Sequence, residues 1–257
     1  FDPIPDTWIK MLNILLFWAS KGIDGFRCDM AEMVPAEFWQ WAISKVKEQY
    51  PAVLFIGEVY NPSEYRNYIH KGGFDFLYDK VGMYDTLRSV ISGSASASAI
   101  TSAWQSLDDI HDHTLFFLEN HDEQRIASDF FAGNALKALP ALIVSLLLRQ
   151  NPFMLYFGQE FGERGMDQEG FSGLDGRTTI FDYWTVPSVN RWLTGNLAPT
   201  EKSLWSVYHR LLHIASKEKA VADGEFFDLM YVNPLSWCFN PECQYAFLRK
   251  SDSEVLI

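Results

Sequence analysis

The chain has 257 residues, of which 48% are apolar and 16% aromatic, and its formal net charge is −12. This length supplies ample material for a large core, and no apolar run is long enough to span a membrane. The acidic balance argues against nucleic acid and against an anionic membrane as partners. The composition predicts a soluble protein with a neutral ligand and leaves the compartment open, whether cytoplasmic or exported.

Strand and helix patterns alternate along most of the chain. In chain order, the spacing of apolar residues predicts a helix over about 6–22, a strand over 25–30, a helix over 35–49, a strand over 53–59, a short helix over 62–70, a strand over 74–78, a helical region from 83, a strand over 114–119, a helix over 135–149, a strand over 151–157 and a helix over 203–217. Near-continuous apolar strands that alternate with helices are typical of a parallel sheet covered on both faces. The fold class predicted is α/β.

Three stretches fall outside this alternation. Residues 92–102 are rich in Ser and Ala and predict a surface loop or a helix start. Residues 162–200 show no periodicity, and a loop of that length is usually functional, here as a substrate-facing wall. From about Gly224, short β-like runs separated by turns predict the beginning of an antiparallel appendage. The predicted division is therefore 1–220 and 221–257.

Carboxylates recur at the ends of the predicted strands. Asp29 ends the first strand, Glu58 lies near the end of the second, and Asp122 follows the strand over 114–119. The intervals correspond to about one and two βα units, so the three carboxylates fall at equivalent ends of three strands. In both barrels and open α/β sheets, that end is where active sites are built.

Arg27 and Asp29 point to the same face of the first strand because they are two residues apart. A guanidinium beside Asp29 would hold that carboxylate ionised at neutral pH, which suits a nucleophile or a charge stabiliser. The alternative is a structural ion pair at a strand end.

Four motifs together carry a resemblance to a known family. The segments GFRCDMA, FIGEVY, FFLENHDEQR and NPFMLYFGQEFG occur in family order and resemble strands of the α-amylase family of glycoside hydrolases, family 13. The resemblance covers roughly residues 6–217. It implies a (β/α)8 TIM barrel of which this chain holds strands 4–8, the C-terminal part of the catalytic barrel, plus the start of a C-terminal antiparallel β-domain.

The resemblance assigns roles residue by residue. Asp29 matches the nucleophile, Glu58 the general acid/base and Asp122 the carboxylate that binds sugar hydroxyls. Arg27 and His121 match positions that contact the nucleophile and the sugar, although a histidine alone is more often structural. Retaining hydrolysis needs one ionised and one protonated carboxyl group, and a negative neighbour in an apolar strand would push Glu58 toward protonation.

Aromatic and acidic residues near these motifs have weaker assignments. Tyr60, Phe26 and Trp184 are candidates for stacking on sugar faces, with a core position as the alternative for each. Glu32 and Glu119 are not expected to be catalytic. Glu119 points to the opposite strand face from Asn120 and is expected to form a salt bridge, and Glu32 lies past the strand in a loop.

Departures from the family pattern indicate which branch of the family this chain resembles. Starch-cleaving α-amylases commonly carry Lys-His three and four residues after the nucleophile, where this chain has Glu32 and Met33. The segment DMAEMVPAEFW resembles more closely the neopullulanase and cyclomaltodextrinase branch, which acts on short or cyclic α-glucans. The family's first motif, its first three strands and the inserted small domain are absent. Calcium binding in the complete protein therefore cannot be assigned to residues of this chain, and no cofactor is assigned.

Three functions follow as hypotheses. The first is a retaining hydrolase of α-glucans, the second is a transglycosylase on the same substrates, and the third is a non-catalytic carbohydrate-binding relative. Non-catalytic relatives typically lose one or more of the three carboxylates, and all three are present here. Half a barrel would expose strand edges, so we expect residues 1–257 alone to be inactive or to self-associate.

Overall fold

The computed structural model describes residues 2–167, 174–182 and 185–257, and the chain divides into two compact units. The first unit comprises Phe1–Val81 and Asp108–Leu115, and the second comprises Gly82–Leu107 and Phe116–Ile257. No helix in the described ranges combines the length and the hydropathy that crossing a membrane requires.

Five parallel strands are hydrogen-bonded in chain order, as the alternating pattern predicts. They are β1 (Gly25–Cys28), β2 (Leu54–Gly57), β3 (Phe76–Tyr78), β4 (Thr114–Phe117) and β5 (Phe153–Met154). The unit boundary falls within β4, whose first residues pair with β3 in the first unit and whose last residues pair with β5 in the second. Three further strands form an antiparallel sheet in the order β6 (Glu225–Asp228), β7 (Phe247–Lys250) and β8 (Val255–Leu256). The β-domain predicted after residue 220 thus begins as an antiparallel sheet, and its exact boundary stays a prediction.

Helices separate the parallel strands. The α-helices of the described ranges are α1 (Asp6–Ala19), α2 (Ala36–Gln49), α3 (Asp85–Ser92), α4 (Ala99–Ser106), α5 (Leu139–Leu147), α6 (Pro187–Leu193), α7 (Pro199–Lys217) and α8 (Lys219–Ala222). The predicted short helix over 62–70 is a π-helical turn at Asn67–Lys71.

In the first unit, α1 and α2 precede β1 and β2. An acidic residue, Asp6, begins α1, and the chain leaves the helix through Gly22 at φ +80°, a left-handed conformation that glycine adopts without strain. One face of α2 is buried, and it consists of Ala36, Phe38, Trp39, Ala42, Ile43 and Val46. The periodic apolar face is what fixes the helix in the fold.

In the second unit, α5 is apolar at nearly every position and most of it is buried, which is typical of a core helix. In the same unit, the ring of Tyr84 stacks on that of Phe117 with centroids 4.8 Å apart. Segment 92–102, predicted as a loop or helix start, contains the start of α4 at Ala99.

The second strand of the antiparallel sheet carries a buried arginine. Arg249 is 1% exposed, and it donates from Nη1 to the carbonyl of Leu148 (3.0 Å) and from Nη2 to the carbonyls of Val221 and Gly224 (2.7 Å each). Burial lowers the pKa of Arg249 to about 10. Leu148 caps the carboxyl end of α5 and Val221 lies in the short helix α8, so carbonyls at helix ends, which lack intrahelical partners, accept the guanidinium.

The structure corrects the prediction for 162–200, which contains the helix α6. This helix begins at Pro187, whose fixed φ suits a first helical position, and its Trp192 ring lies 5.9 Å from the ring of Phe161. Packing on a distant aromatic ring orders a segment too short to show periodicity by itself. Trp184, a stacking candidate in this segment, lies outside the described residues.

Candidate active site

The first two carboxylates follow neighbouring strands at matched positions. The register pairs Cys28 of β1 with Gly57 of β2, and the backbone N–H of Glu58 donates to the carbonyl of Cys28 at 3.1 Å. Asp29 and Glu58 are therefore the first residues after paired ends of two parallel strands, which are about 4.8 Å apart in a sheet.

A single guanidinium joins these two carboxylates. Nη1 of Arg27 lies 2.6 Å from Oδ1 of Asp29, and Nη2 lies 2.9 Å from Oε1 of Glu58. The pairing of Arg27 with Asp29 that the i, i+2 spacing predicts is present. The second contact, to Glu58, does not follow from the sequence because it depends on the register between β1 and β2.

The two carboxylates differ sharply in exposure. The Asp29 side chain is 75% exposed, whereas that of Glu58 is 5% exposed. Burial lowers the pKa of Arg27, but hydrogen bonds to Asp29 and Tyr78 and the charge of Glu58 outweigh it and raise that pKa above its usual value. Arg27 is therefore a permanent cation that leaves Asp29 open to a ligand.

Glu58 is held by further donors. The backbone N–H of Met30 donates to its Oε2 at 2.8 Å, and the hydroxyl of Tyr60 donates to its Oε1 at 2.9 Å. Met30 adopts a left-handed conformation (φ 44°), which is uncommon for a residue with a side chain and which turns this N–H toward Glu58. Such strained positions cluster at functional sites, where the surrounding contacts maintain them.

In the second unit, Asp122 lies in a turn that follows β4. The side-chain oxygen of Asn120 accepts the backbone N–H groups of Asp122 and Glu123, both at 2.8 Å, which is how asparagine fixes tight turns. Nε2 of His121 lies 3.2 Å from Oδ2 of Asp122. The structure therefore brings His121 and Asp122 together.

The salt bridge expected of Glu119 is confirmed and is fully buried. Nη1 of Arg125 donates to Oε2 of Glu119 at 2.7 Å, and the N–H of Ile126 donates to Oε1 at 2.7 Å. Arg125 also donates to Oγ1 of Thr178 and to the carbonyl of Phe157, both at 2.9 Å. These bonds close the loop that carries His121 and Asp122.

Acidic groups in these loops do not form a metal cluster. Across residues 2–167, 174–182 and 185–257, no three His, Cys, Asp or Glu side chains are grouped so that they could hold a metal ion. Each unit instead presents carboxylates together with basic side chains at the carboxyl ends of parallel strands, an arrangement suited to acid/base chemistry on an uncharged ligand.

Comparison with known families decides the class of protein. Residues 5–182 match the family described as "Alpha amylase, catalytic domain". The chain belongs to the alpha-amylase family. The TIM-barrel fold class is thereby confirmed, with the parallel strands as part of the barrel, and so is the predicted membership of the alpha-amylase family.

Individual relatives agree with this family. The chain is 29% identical over 242 residues to "Alpha-amylase 3" of Dictyoglomus thermophilum, covering 86% of this chain and 48% of that protein. It is 34% identical over 73 residues to an alpha-1,4-glucan:maltose-1-phosphate maltosyltransferase of Chlorobaculum tepidum, covering 28% of this chain and 11% of that protein. A solved "Cyclomaltodextrinase" superposes with a TM-score of 0.73 at 20% identity, covering 98% of this chain and 39% of that one, which shows a shared fold. The chain thus spans at most about half the length of these relatives.

Two residues near these strand ends were not singled out by the sequence. Asp79 directly follows β3, as Asp29 and Glu58 follow β1 and β2, and it is 2% exposed. The ring of Tyr78 lies 5.6 Å from the guanidinium carbon of Arg27. The sequence could have indicated Asp79, because it is a carboxylate at the end of an apolar run. It could not have indicated Tyr78, because an aromatic residue within such a run predicts a core position.

Phe26, another stacking candidate, has a protein partner. Its ring centroid lies 5.3 Å from that of Phe55, which is buried, so the contact favours the core alternative. Tyr60 instead directs its hydroxyl to Glu58.

Proposed function

We propose that the protein is a retaining glycoside hydrolase that cleaves α-glucosidic bonds in starch-derived or related α-glucans by double displacement. Asp29 is the nucleophile and Glu58 the general acid/base. Asp122 and His121 bind sugar hydroxyls, Arg27 pairs with the carboxylate of Asp29, and Tyr60 contributes to substrate binding.

The observation that carries this proposal is the Arg27 bridge. One guanidinium contacts both Asp29 and Glu58, at 2.6 and 2.9 Å, so both carboxylates lie against the same side chain. Retaining enzymes need carboxyl groups about 5–5.5 Å apart, whereas inverting enzymes need about 6.5–9.5 Å to admit a water molecule. The bridge therefore supports the retaining geometry.

The proposed reaction has two steps. The exposed carboxylate of Asp29 attacks the anomeric carbon while Glu58 gives a proton to the departing glycosidic oxygen, which yields a covalent glycosyl-enzyme. Glu58 then takes a proton from a water molecule, which attacks the same carbon and releases the sugar with its configuration unchanged. Arg27 remains charged throughout and stabilises whichever carboxyl group is ionised.

Stereochemistry and mutation together test the proposal. In the complete protein, we expect proton NMR of early products from maltoheptaose to show the α-anomer first, and we expect Asp29→Asn to abolish turnover while the circular dichroism spectrum is unchanged. Asp24→Asn is the matched control because Asp24 is exposed and precedes β1 at its opposite end. Initial β-anomer, or near-normal turnover by the Asp29 variant, would remove Asp29 from the nucleophile role. Product profiles from maltoheptaose, pullulan and a cyclodextrin then give the bond preference.

Transglycosylation is the second candidate, and the similarity to a maltosyltransferase favours it. The two reactions share every carboxylate and differ only in whether water or a sugar attacks the glycosyl-enzyme. Adding a labelled acceptor sugar distinguishes them: longer labelled products at the expense of hydrolysis indicate the transferase, and unchanged hydrolysis products indicate the hydrolase.

A further inference from the structure

We propose that Glu32 is a positioning residue that orients the general acid/base Glu58 through Tyr60; this inference rests on the proposed function. Oε2 of Glu32 accepts the backbone N–H groups of Tyr60 (3.2 Å) and Asn61 (3.0 Å). The hydroxyl of the same Tyr60 donates to Oε1 of Glu58 at 2.9 Å. Glu32 thus connects the loop after β1 to the loop after β2, and Tyr60, one of the residues it binds, contacts the acid/base Glu58 directly.

The turn that bears Glu32 is itself fixed. Glu32 lies in a single 3₁₀ turn, Ala31–Met33, and the carbonyl of Ala31 accepts the indole N–H of the buried Trp39 at 3.0 Å. The hydroxyl of Tyr68, also buried, donates to the carbonyls of Glu32 (3.0 Å) and Val34 (2.9 Å). Two aromatic side chains of the first unit therefore hold the backbone on both sides of Glu32, so its carboxylate is a rigid anchor.

Charge makes this anchor stronger than a neutral one. A carboxylate that accepts two successive backbone N–H groups forms charge-assisted hydrogen bonds, which are about twice as strong as neutral ones. Val59, between Glu58 and Tyr60, is fully buried. Residues 58–61 are therefore held on one side by the packing of Val59 in the core and on the other by hydrogen bonds to Glu32. With its backbone held in this way, Tyr60 places its hydroxyl against Glu58 and keeps that carboxyl group in one orientation. A general acid needs a fixed orientation to give its proton to the departing oxygen.

Substrates with different leaving groups separate positioning from folding. Maltoheptaose needs protonation of its departing oxygen, whereas fluoride leaves α-maltosyl fluoride without it. In the full-length protein, we expect Glu32→Ala to lower kcat on maltoheptaose by about ten- to a hundredfold. We expect KM on maltoheptaose and kcat on the fluoride to change by no more than about twofold, because the nucleophile is untouched.

Conservative variants and a double mutant sharpen the test. Glu32→Gln keeps an oxygen that can accept both N–H groups and should restore most of the activity. Glu37→Ala is the matched control because Glu37, on α2, forms an exposed ion pair with Lys71. In a Tyr60→Phe background, Glu32→Ala should lower kcat on maltoheptaose little further. Both substitutions interrupt the same series of contacts from Glu32 through Tyr60 to Glu58, and the effects of linked contacts are not additive.

Four outcomes would overturn the inference while leaving the proposed function standing: equal losses on both substrates, no loss on maltoheptaose, additive losses in the double mutant, or a Glu32→Gln variant as impaired as the alanine variant. If Glu32→Ala does not fold, Glu32→Asp, which retains the charge but shortens its reach, provides the same comparison of substrates. A wild-type protein that turns over neither substrate would instead refute the proposed function, and the inference with it.

Discussion

Replacing Arg125 by alanine should remove the cation from the most deeply buried ion pair described in the second unit. Arg125 is 0% exposed and Glu119 1% exposed, and the substitution also leaves Oγ1 of Thr178 and the carbonyl of Phe157 without this donor. Breaking a buried pair by removing one partner costs about 3–5 kcal/mol, because the remaining charge is uncompensated in a medium of low polarity. We expect a loss of that size in the free energy of unfolding.

The loss should depend on pH in a defined direction. Burial raises the pKa of Glu119, and Arg125 opposes that rise. A carboxyl group whose pKa is raised by folding stabilises the folded state below its unfolded pKa, and that contribution disappears as the pH rises through the folded value. Without Arg125 the pKa rises further, so the variant should lose more stability near neutral pH than at about pH 5, where Glu119 binds a proton more readily.

Urea unfolding followed by circular dichroism measures both effects. Arg164→Ala is the matched control because its ion pair with Asp129 is largely exposed, with side chains 49% and 64% accessible, and such pairs contribute at most about 1 kcal/mol. The reasoning would be refuted if Arg125→Ala cost no more than Arg164→Ala, or if its cost grew as the pH fell.

Further variants test the strand ends and the antiparallel sheet. Glu58→Gln should lower kcat on maltoheptaose by about 10²–10⁴-fold but spare α-maltosyl fluoride, and equal losses would contradict the acid assignment. Gly57→Ala should destabilise by about 1–3 kcal/mol, since a Cβ would lie 2.8 Å from Leu77; calorimetry showing no change would contradict the packing. Asp228→Ala should cost about 1–3 kcal/mol for each donor it leaves unsatisfied. Its Oδ2 accepts three side-chain donors, from Thr101, Trp104 and Tyr245. An unchanged urea midpoint would show these bonds to be dispensable.

Local pattern was enough to predict the parallel strands and their carboxylates. An apolar run bounded by turn residues marks a buried strand, and Asp29 and Glu58 stand immediately beyond β1 and β2 as the spacing indicates. The observed strands are shorter than the predicted apolar runs, because pairing with the neighbouring strand extends over only part of each run. In β5, two residues pair, while the same run continues to the buried Tyr156.

Contacts between segments distant in sequence could not be predicted in the same way. The bridge from Arg27 to Glu58 depends on the register of β1 against β2, and a shift by one residue would point Glu58 to the other face. The sequence predicts a loop position for Glu32 but not its partners, because these are backbone N–H donors 28 and 29 residues away that carry no side-chain signature. The convergence of Asp122 on Asp29 and Glu58 remains a prediction.

Arg249 has a consequence for how this protein can diverge. Its guanidinium binds main-chain oxygens of Leu148, Val221 and Gly224, which every amino acid supplies. Mutations in the residues that contribute those oxygens therefore leave the attachment chemically intact, provided the backbone keeps its course. The antiparallel sheet can in this way keep this attachment while the side chains at Leu148 and Val221 change.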